Sequence, residues 1–328
     1  MRERDDDHAR FERPRRRTRP RTKDRPDYSK LPQGRVITVD RGRYTTALDD
    51  GTVVTAAKAR QIGKQGVVVG DVVRLDGDVS GDTDSLARVV EVLPRTSVLR
   101  RTADDDDPIE RVVVANAEQL VVVVALADPP PRTALVDRCL VAAYDAGMNP
   151  LVVLTKVDLA PADPVIALLE PLDVPVLVVD RDQDPTSVRD VLRDRTSVLI
   201  GHSGVGKSTL VNALVPDAFR NTSHVNAVTG RGRHTSTSAV VLELPGGGRI
   251  IDTPGFRSFG LAHVDSSRII QAFDDLAEAS AGCPRGCTHL DGEPECALDD
   301  AVADGRTRAD RVRSFRRILA SREAAESY

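Results

Sequence analysis

Residues 201–208, Gly201-His202-Ser203-Gly204-Val205-Gly206-Lys207-Ser208, carry the spacing G-x-x-x-x-G-K-S. Between a strand and a helix this pattern binds phosphate. The glycines let the backbone fold tightly, several N–H groups converge on one phosphate, and the helix N-terminus adds its positive dipole end. The apolar run Ser197-Val198-Leu199-Ile200 leads in, and a helix is expected from Ser208 to Val215. Lys207 is placed to reach the β- and γ-phosphates and to act in hydrolysis, Ser208 to ligate Mg²⁺, and Thr209 to complete the phosphate-binding set. Asp252-Thr253-Pro254-Gly255 follows the apolar segment Arg249-Ile250-Ile251. Asp252 can hold Mg²⁺ through water, and the Gly255 N–H can sense the γ-phosphate. Alone, D-x-x-G reads as a turn; beside a phosphate loop it reads as part of a nucleotide site.

Thr155-Lys156-Val157-Asp158 follows a further apolar run, Leu151-Val152-Val153-Leu154. A carboxylate at Asp158 accepts from the N1–H and exocyclic amine of guanine. Adenine has no such donor pair and would leave the carboxylate unpaired, so the tetrapeptide predicts discrimination for guanine. The Lys156 stem can lie over the base while its head ties down the phosphate loop.

The order of these segments is unusual: the base reader at 155–158, ordinarily last, comes ahead of the phosphate loop, and the D-x-x-G still follows that loop. Relocated termini leave a parallel sheet intact, so a circular permutation accounts for it. The switch region, about 220–260, then feeds into whatever follows, and nucleotide state could move flanking domains. It contains Gly230-Arg231-Gly232-Arg233-His234-Thr235-Ser236-Thr237. Thr235 is the expected sensor of Mg²⁺ and γ-phosphate, with Ser236 and Thr237 as rivals; Arg231 and Arg233 could contact RNA or phosphate. Phe256 stands where many such enzymes place a water-orienting Gln, which leaves His234 as candidate orienter or base, or else as an exposed loop histidine.

Three of the four cysteines fall together: Cys283, Cys287 and Cys296, with His289 between them, in the spacing C-x₃-C-x-H-x₆-C. Three thiolates and one imidazole suit a closed, tetrahedral, structural zinc site. Cys139 lies instead on a helical apolar stripe with Leu135, Val136, Leu140 and Ala143, as a small buried hydrophobe.

The elements that must position these groups are legible in outline. From Gly34 to about Pro94 short β-branched runs alternate with turn signals, Asp50-Gly51 among them. Five or so strands, one of them expected at Gly66–Val69, suggest a small closed barrel, with the OB-fold leading. Its one aromatic, Tyr44, argues for RNA contact through backbone and shape if it binds RNA at all; a purely structural barrel is the alternative. From about 110 continuous apolar strands alternate with helices, the pattern of a parallel sheet covered on both faces. The 328 residues are 40% hydrophobic and carry a net charge of −4. Residues 1–26 hold eleven Lys/Arg and six Asp/Glu, a surplus of +5, so the rest carries −9. A basic tail on an acidic body fits contact with RNA; a solvated disordered leader fits equally. No apolar run approaches a membrane span and no secretory h-region is present, so a cytoplasmic location without membrane contact is expected. A basic helix from Arg306 to Arg322 could touch RNA or form a solvated face.

Taken together, the barrel, T-K-V-D ahead of G-H-S-G-V-G-K-S-T, then G-R-H-T, D-T-P-G-F and the Cys-Cys-His-Cys cluster closely resemble the small ribosomal subunit biogenesis GTPases, the RsgA/YjeQ family. The resemblance spans roughly residues 34–320. It implies a multidomain chain: an N-terminal β-barrel of OB-fold type, a circularly permuted P-loop α/β GTPase domain, and a C-terminal α-helical zinc-binding domain. The corresponding spans are 1–32 for the leader, 33–98, 99–262 and 263–328. It further implies GTP hydrolysis stimulated by the small (30S) subunit, contact with its 16S rRNA, use of GTP/GDP with Mg²⁺ and one Zn²⁺, and late subunit maturation by a monomer. His234 matches the histidine that the family's G-R-H-T-T-T loop is thought to use. The sequence departs from the family at Ser236, in a first cysteine pair one residue closer than usual, at Val179-Asp180-Arg181 where a small base-contact residue is expected, and in its arginine-rich leader. Two other functions compete: a zinc-bearing rRNA-binding scaffold with nucleotide as a latch, and an ATPase with a fortuitous T-K-V-D.

Overall fold

The computed structural model describes residues 27–63, 66–102, 110–216, 239–254, 260–261 and 264–321. The chain divides into two units, Met1–Lys30 and Leu31–Tyr328. Of the first, only residues 27–30 are described; the basic leader proper, 1–26, lies outside them.

The second unit opens with strands β1 (Gln33–Asp40), β2 (Arg43–Leu48), β3 (Val53–Lys58), β4 (Val72–Gly77) and β5 (Ala87–Val92). They run β1-β2-β3-β5-β4, and β4 pairs back onto β1, closing a five-stranded barrel of OB-fold topology. Alternate residues fill it: Val36, Val54, Ala56, Val73, Leu75, Ala87 and Val89 are all buried. Asp50-Gly51 turns β2 into β3, with the Asp50 carboxylate accepting from the Thr52 N–H at 2.8 Å. Gly66–Val69 is not a barrel strand, contrary to the sequence expectation. Val67 and Val69 are buried there, but the backbone makes only a single bridge, Val69 to Val114. Val67 joins the barrel core and Val69 the core of the parallel layer.

A hairpin of β6 (Val98–Arg101) and β7 (Arg111–Ala115) leads to the second layer. Strands β8 (Gln119–Ala125), β9 (Asn149–Thr155), β10 (Val176–Val178), β11 (Thr196–Ile200) and β13 (Arg249–Asp252) lie parallel in the order β10-β9-β8-β11-β13, with β12 (Val240–Glu243) antiparallel on the β13 edge. Both faces of β8 are apolar because both are covered: Leu120, Val122 and Val124 enter one core, Val121, Val123 and Ala125 the other. Helix α1 (Thr133–Asp145) packs on the first face; α3 (Thr186–Leu192) and α4 (Lys207–Leu214) supply Val188, Leu192, Leu210 and Leu214 to the second. Helix α2 (Asp163–Leu169) adds Val165 and Leu169 to the first core. Helix α1 stops where its sequence says it should. The Gly147 N–H donates to Tyr144 C=O at 3.1 Å and the Met148 N–H to Ala143 C=O at 2.9 Å, which is a Schellman cap. Cys139, buried on α1, faces the core as expected.

β12 also pairs with β1 through Thr38 and Val240, so barrel and parallel layer form one 11-stranded sheet. The C-terminal segment is helical: α5 (Ser266–Ile270), α6 (Asp274–Ser280), α7 (Ala297–Ala303) and α8 (Ala309–Ser321). Phe273, Phe315, Ile318 and Leu319 join the same core as α1, and Phe273 meets both Tyr144 and Phe315 edge-on at 5.0 and 5.5 Å between ring centroids. Three arginines of the basic helix α8 turn inward to carboxylates. Arg311 bonds Asp275 at 2.6 and 2.8 Å, Arg316 bonds Asp299 at 2.8 Å twice, and Arg317 bonds Asp137 at 3.0 and 3.1 Å. Among the described residues no helix is long and apolar enough to cross a membrane.

Candidate nucleotide site and metal cluster

The phosphate loop leaves β11 at Gly201 and enters α4 at Lys207. At Gly201 the chain passes so close to β8 that a Cβ would sit 2.7 Å from the Val123 carbonyl oxygen. Gly206 has φ +89, the left-handed turn that starts the helix. The first bond of α4 runs from Leu210 N–H to Gly206 C=O at 2.9 Å, so the N–H groups of Lys207, Ser208 and Thr209 have no i−4 partner within the helix. Ser203, Gly204, Ser208 and Thr209 are exposed at that mouth, His202 and Gly206 are half-buried, and Val205 is buried behind it. His202 Nδ1 lies 3.0 Å from the Ser203 carbonyl oxygen.

Sheet register brings the other motifs to the same end. Leu199 of β11 is level with Asp252 of β13, and Val124 of β8 with Leu154 of β9. The buried Lys207 ammonium is ion-paired with the Asp252 carboxylate and donates to the Thr253 carbonyl at 2.5 Å. Thr253 Oγ1 in turn donates to Leu199 C=O at 2.7 Å, fastening the D-x-x-G turn to the strand that carries the phosphate loop. From the opposite side Thr155, itself buried, donates its hydroxyl to Val205 C=O at 2.6 Å. Thr155 therefore braces the loop from behind.

Lys156 does not send its head to the phosphate loop. Its Nζ donates to the carbonyl of Asp128, on the segment joining β8 to α1. Asp158 is exposed in the turn closed by Leu159 N–H to Lys156 C=O at 3.0 Å, and its carboxylate has no hydrogen-bond or ion-pair partner among the described residues. It is thus available to a ligand. Val179, where a base-contact residue is expected, is held to β9 by its N–H to Leu154 C=O at 2.8 Å. Asp180 is engaged by its own turn, accepting from the Asp182 N–H at 3.1 Å. His234, Thr235, Ser236, Thr237, Arg231, Arg233, Gly255 and Phe256 lie outside the described residues.

Cys283, Cys287, His289 and Cys296 converge, with ligand atoms all within 4.8 Å of one another. His289 Nδ1 lies 3.6, 3.4 and 3.8 Å from the three sulfurs. A tetrahedral ion with Zn–S near 2.3 Å and Zn–N near 2.0 Å would separate S and N by about 3.5 Å, so the cage has the dimensions of zinc. The sequence builds it from a tight loop, with Gly286 at φ +86 and His289 at φ +58, and from the start of α7, where the Ala297 N–H donates to Cys283 Sγ at 3.3 Å. The Arg316 Nε donates to His289 C=O at 3.1 Å and pins the loop to α8. Burial pushes the Cys287 thiol up to about 12 and lowers His289, which keeps the imidazole neutral and able to ligate. A desolvated thiol of this kind ionises when a cation is present to compensate it.

A family model described as RsgA GTPase matches residues 92–262. A protein of Pseudomonas fluorescens (strain SBW25) named small ribosomal subunit biogenesis GTPase RsgA is 41% identical over 242 residues, covering 71% of this chain and 69% of that relative. One of the same name from Pseudomonas syringae pv. syringae (strain B728a) is 38% identical over 280 residues, 79% of this chain and 80% of the relative. The fold is that of YjeQ from Thermotoga maritima, with a TM-score of 0.65 at 24% identity over 90% of this chain and 99% of that one. It is likewise that of YloQ, described as a circularly permuted GTPase, with a TM-score of 0.63 at 25% identity over 90% and 96%. On the family match and these relatives, and with Thr155, the loop from Gly201 to Lys207 and Asp252 gathered in permuted order at one end of the sheet, the chain belongs to the RsgA GTPase family.

Proposed function

We propose that the protein binds GTP between Asp158 and the loop Gly201–Thr209, hydrolyses it to GDP and phosphate, and does so in the assembly of the small ribosomal subunit. The observation that supports this best is the convergence of Thr155, Val205, Lys207 and Asp252, segments far apart in the chain, on one end of the parallel sheet.

Asp158 reads the guanine edge; it is exposed and has no hydrogen-bond or ion-pair partner among the described residues, which leaves it free to do so. Lys207 exchanges Asp252 and the Thr253 carbonyl for the β- and γ-phosphates, neutralising charge where it develops on transfer. Asp252, released from Lys207, and the exposed Ser208 hydroxyl are hard oxygen donors at adjoining positions and suit Mg²⁺, which supplies charge neutralisation on the phosphates. Thr235 as a further ligand, Gly255 as γ-phosphate sensor and His234 as the group that orients water complete the proposal. The Cys283, Cys287, His289 and Cys296 cage fits one Zn²⁺, held by four protein ligands and therefore structural. The relatives' name points to the small (30S) subunit as partner, contacted through its 16S rRNA. The protein works in the cytoplasm as a monomer.

The test is hydrolysis of GTP and of ATP with and without purified small subunits. GTP turnover that rises with subunits is expected. A rate unchanged by subunits would remove the ribosomal role, and equal use of ATP would remove the guanine reading. An Asp158→Ala protein should lose its preference for GTP over ATP while still folding.

A further inference from the structure

We propose that Asp128 is a positioning residue for the nucleotide base, acting through Lys156; the inference rests on the guanine-site reading above. After β8 the chain runs Leu126-Ala127-Asp128 and then three prolines, Pro129 to Pro131, before α1 begins at Thr133. Prolines fix φ and carry no N–H, so this strap is stiff and offers no backbone donors of its own from 129 to 131. Asp128 ahead of it has φ +44, and Lys156 has φ +58. Few residues other than glycine take this left-handed conformation, Asp and Asn among them. Two such residues meeting turn the Asp128 carbonyl toward the Lys156 ammonium, which donates to it. A hydrogen bond from a charged donor is roughly twice as strong as a neutral one.

The strap also touches the phosphate loop. Pro129 Cδ lies 3.6 Å from where a Cβ on Gly204 would stand, and Pro129 to Arg132 line one small cavity together with Gly201, His202 and Val205. The same segment therefore backs the phosphate-binding turn and holds the side chain expected over the base. Lys156 is long and half-exposed, and without an anchor it would sample many rotamers. The Asp128 carbonyl supplies the anchor before nucleotide arrives, which lowers the ordering that binding must impose.

The test uses the full chain and a fluorescent GDP analogue, read by affinity, dissociation rate and turnover at saturating GTP. Asp128→Val places a β-branched residue where φ is positive and should displace the carbonyl. Affinity should fall about tenfold through faster dissociation, with turnover at saturation within about twofold of wild type. Asp128→Asn, which tolerates the same backbone, should bind within about twofold of wild type. In a Lys156→Met background Asp128→Val should add nothing. Wild-type affinity in Asp128→Val, or an undiminished effect without Lys156, overturns the proposal. Should Asp128→Val fail to fold, Asp128→Ala carries the same test with about a threefold effect. If the wild-type chain shows no preference for GDP over ADP, the guanine reading has failed instead, and the wild-type arm shows this independently of the variants.

Discussion

At the scale of residues, the site is held by hydrogen bonds that bind no ligand. Thr155 looks from its motif like a nucleotide contact, yet its hydroxyl is committed to the Val205 carbonyl. Replacing it by the near-isosteric Val removes the donor and leaves a buried acceptor unsatisfied, a loss of about 1–3 kcal/mol. We expect Thr155→Val to weaken GDP binding about tenfold with turnover at saturating GTP little changed, which equilibrium binding and steady-state kinetics will separate. The zinc cage makes a second prediction. Cys287 is half-buried with its thiol pushed up to about 12, and the four ligand atoms lie within 4.8 Å of one another, so a bound ion is expected to hold this loop together. Chelation should lower the melting temperature and release one equivalent of zinc, measurable by a colorimetric metal indicator alongside thermal denaturation.

At the scale of elements, α8 is the surprise. Its arginines read as a basic surface because their partners are distant in sequence: Asp137 on α1, Asp173 beside α2, Asp275 on α6, Asp299 on α7. No local pattern announces such pairs. Arg138, buried on α1, reaches the Ser321 carbonyl at the end of α8 at 2.7 Å, so the two helices are joined at two consecutive residues of α1. The Asp137 pair is well formed, yet burial of that carboxyl outweighs Arg317 and raises it above its usual range. It therefore fixes the helix position more than it stabilises. Asp137→Ala, which strands a partly exposed Arg317, should cost about 2 kcal/mol, read as a shift in urea midpoint. Asp275 behaves oppositely: hydrogen bonds from Arg311 hold its carboxyl below the usual carboxylate range. The ionised form is then favoured on folding, so its contribution is present above the unfolded value near 3.9 and is lost as pH falls through the lower folded one. Asp275→Asn should flatten the acid limb of the unfolding curve below about pH 4, followed by circular dichroism. The sequence was clearest where periodicity is strong. β5 and the long apolar β8, β9 and β11 stand where their runs predict, and α1 ends at its predicted glycine. It was silent on β12, four residues beside a polar loop, and misleading at Gly66–Val69, where β-branched residues pack without a ladder. Motif residues were legible because chemistry constrains their types; the Asp128 carbonyl was not, since any residue supplies a carbonyl and only the backbone angle aims it.

At the scale of the whole chain, permutation moves the ordinary termini of the nucleotide-binding sheet inward and hangs new domains on the cut ends. The C-terminal helices share the α1 core, while on the other edge β12 leaves the region between phosphate loop and D-x-x-G and pairs with both β13 and β1. That seam through Thr38 and Val240 gives the barrel a role independent of any RNA it touches. A strand ladder left open recruits another chain, and here β1 is what occupies the open side of β12. A protein beginning after Val92 would keep its nucleotide motifs but present a raw edge of Val240, Val241 and Leu242 to solvent. We expect it to self-associate in a concentration-dependent way in sedimentation velocity, and a lysine at Val241 or Leu242 to reduce this only at the expense of the core behind them. Domain dissection, the customary route to a minimal enzyme, would here manufacture an adhesive surface that the intact chain never shows.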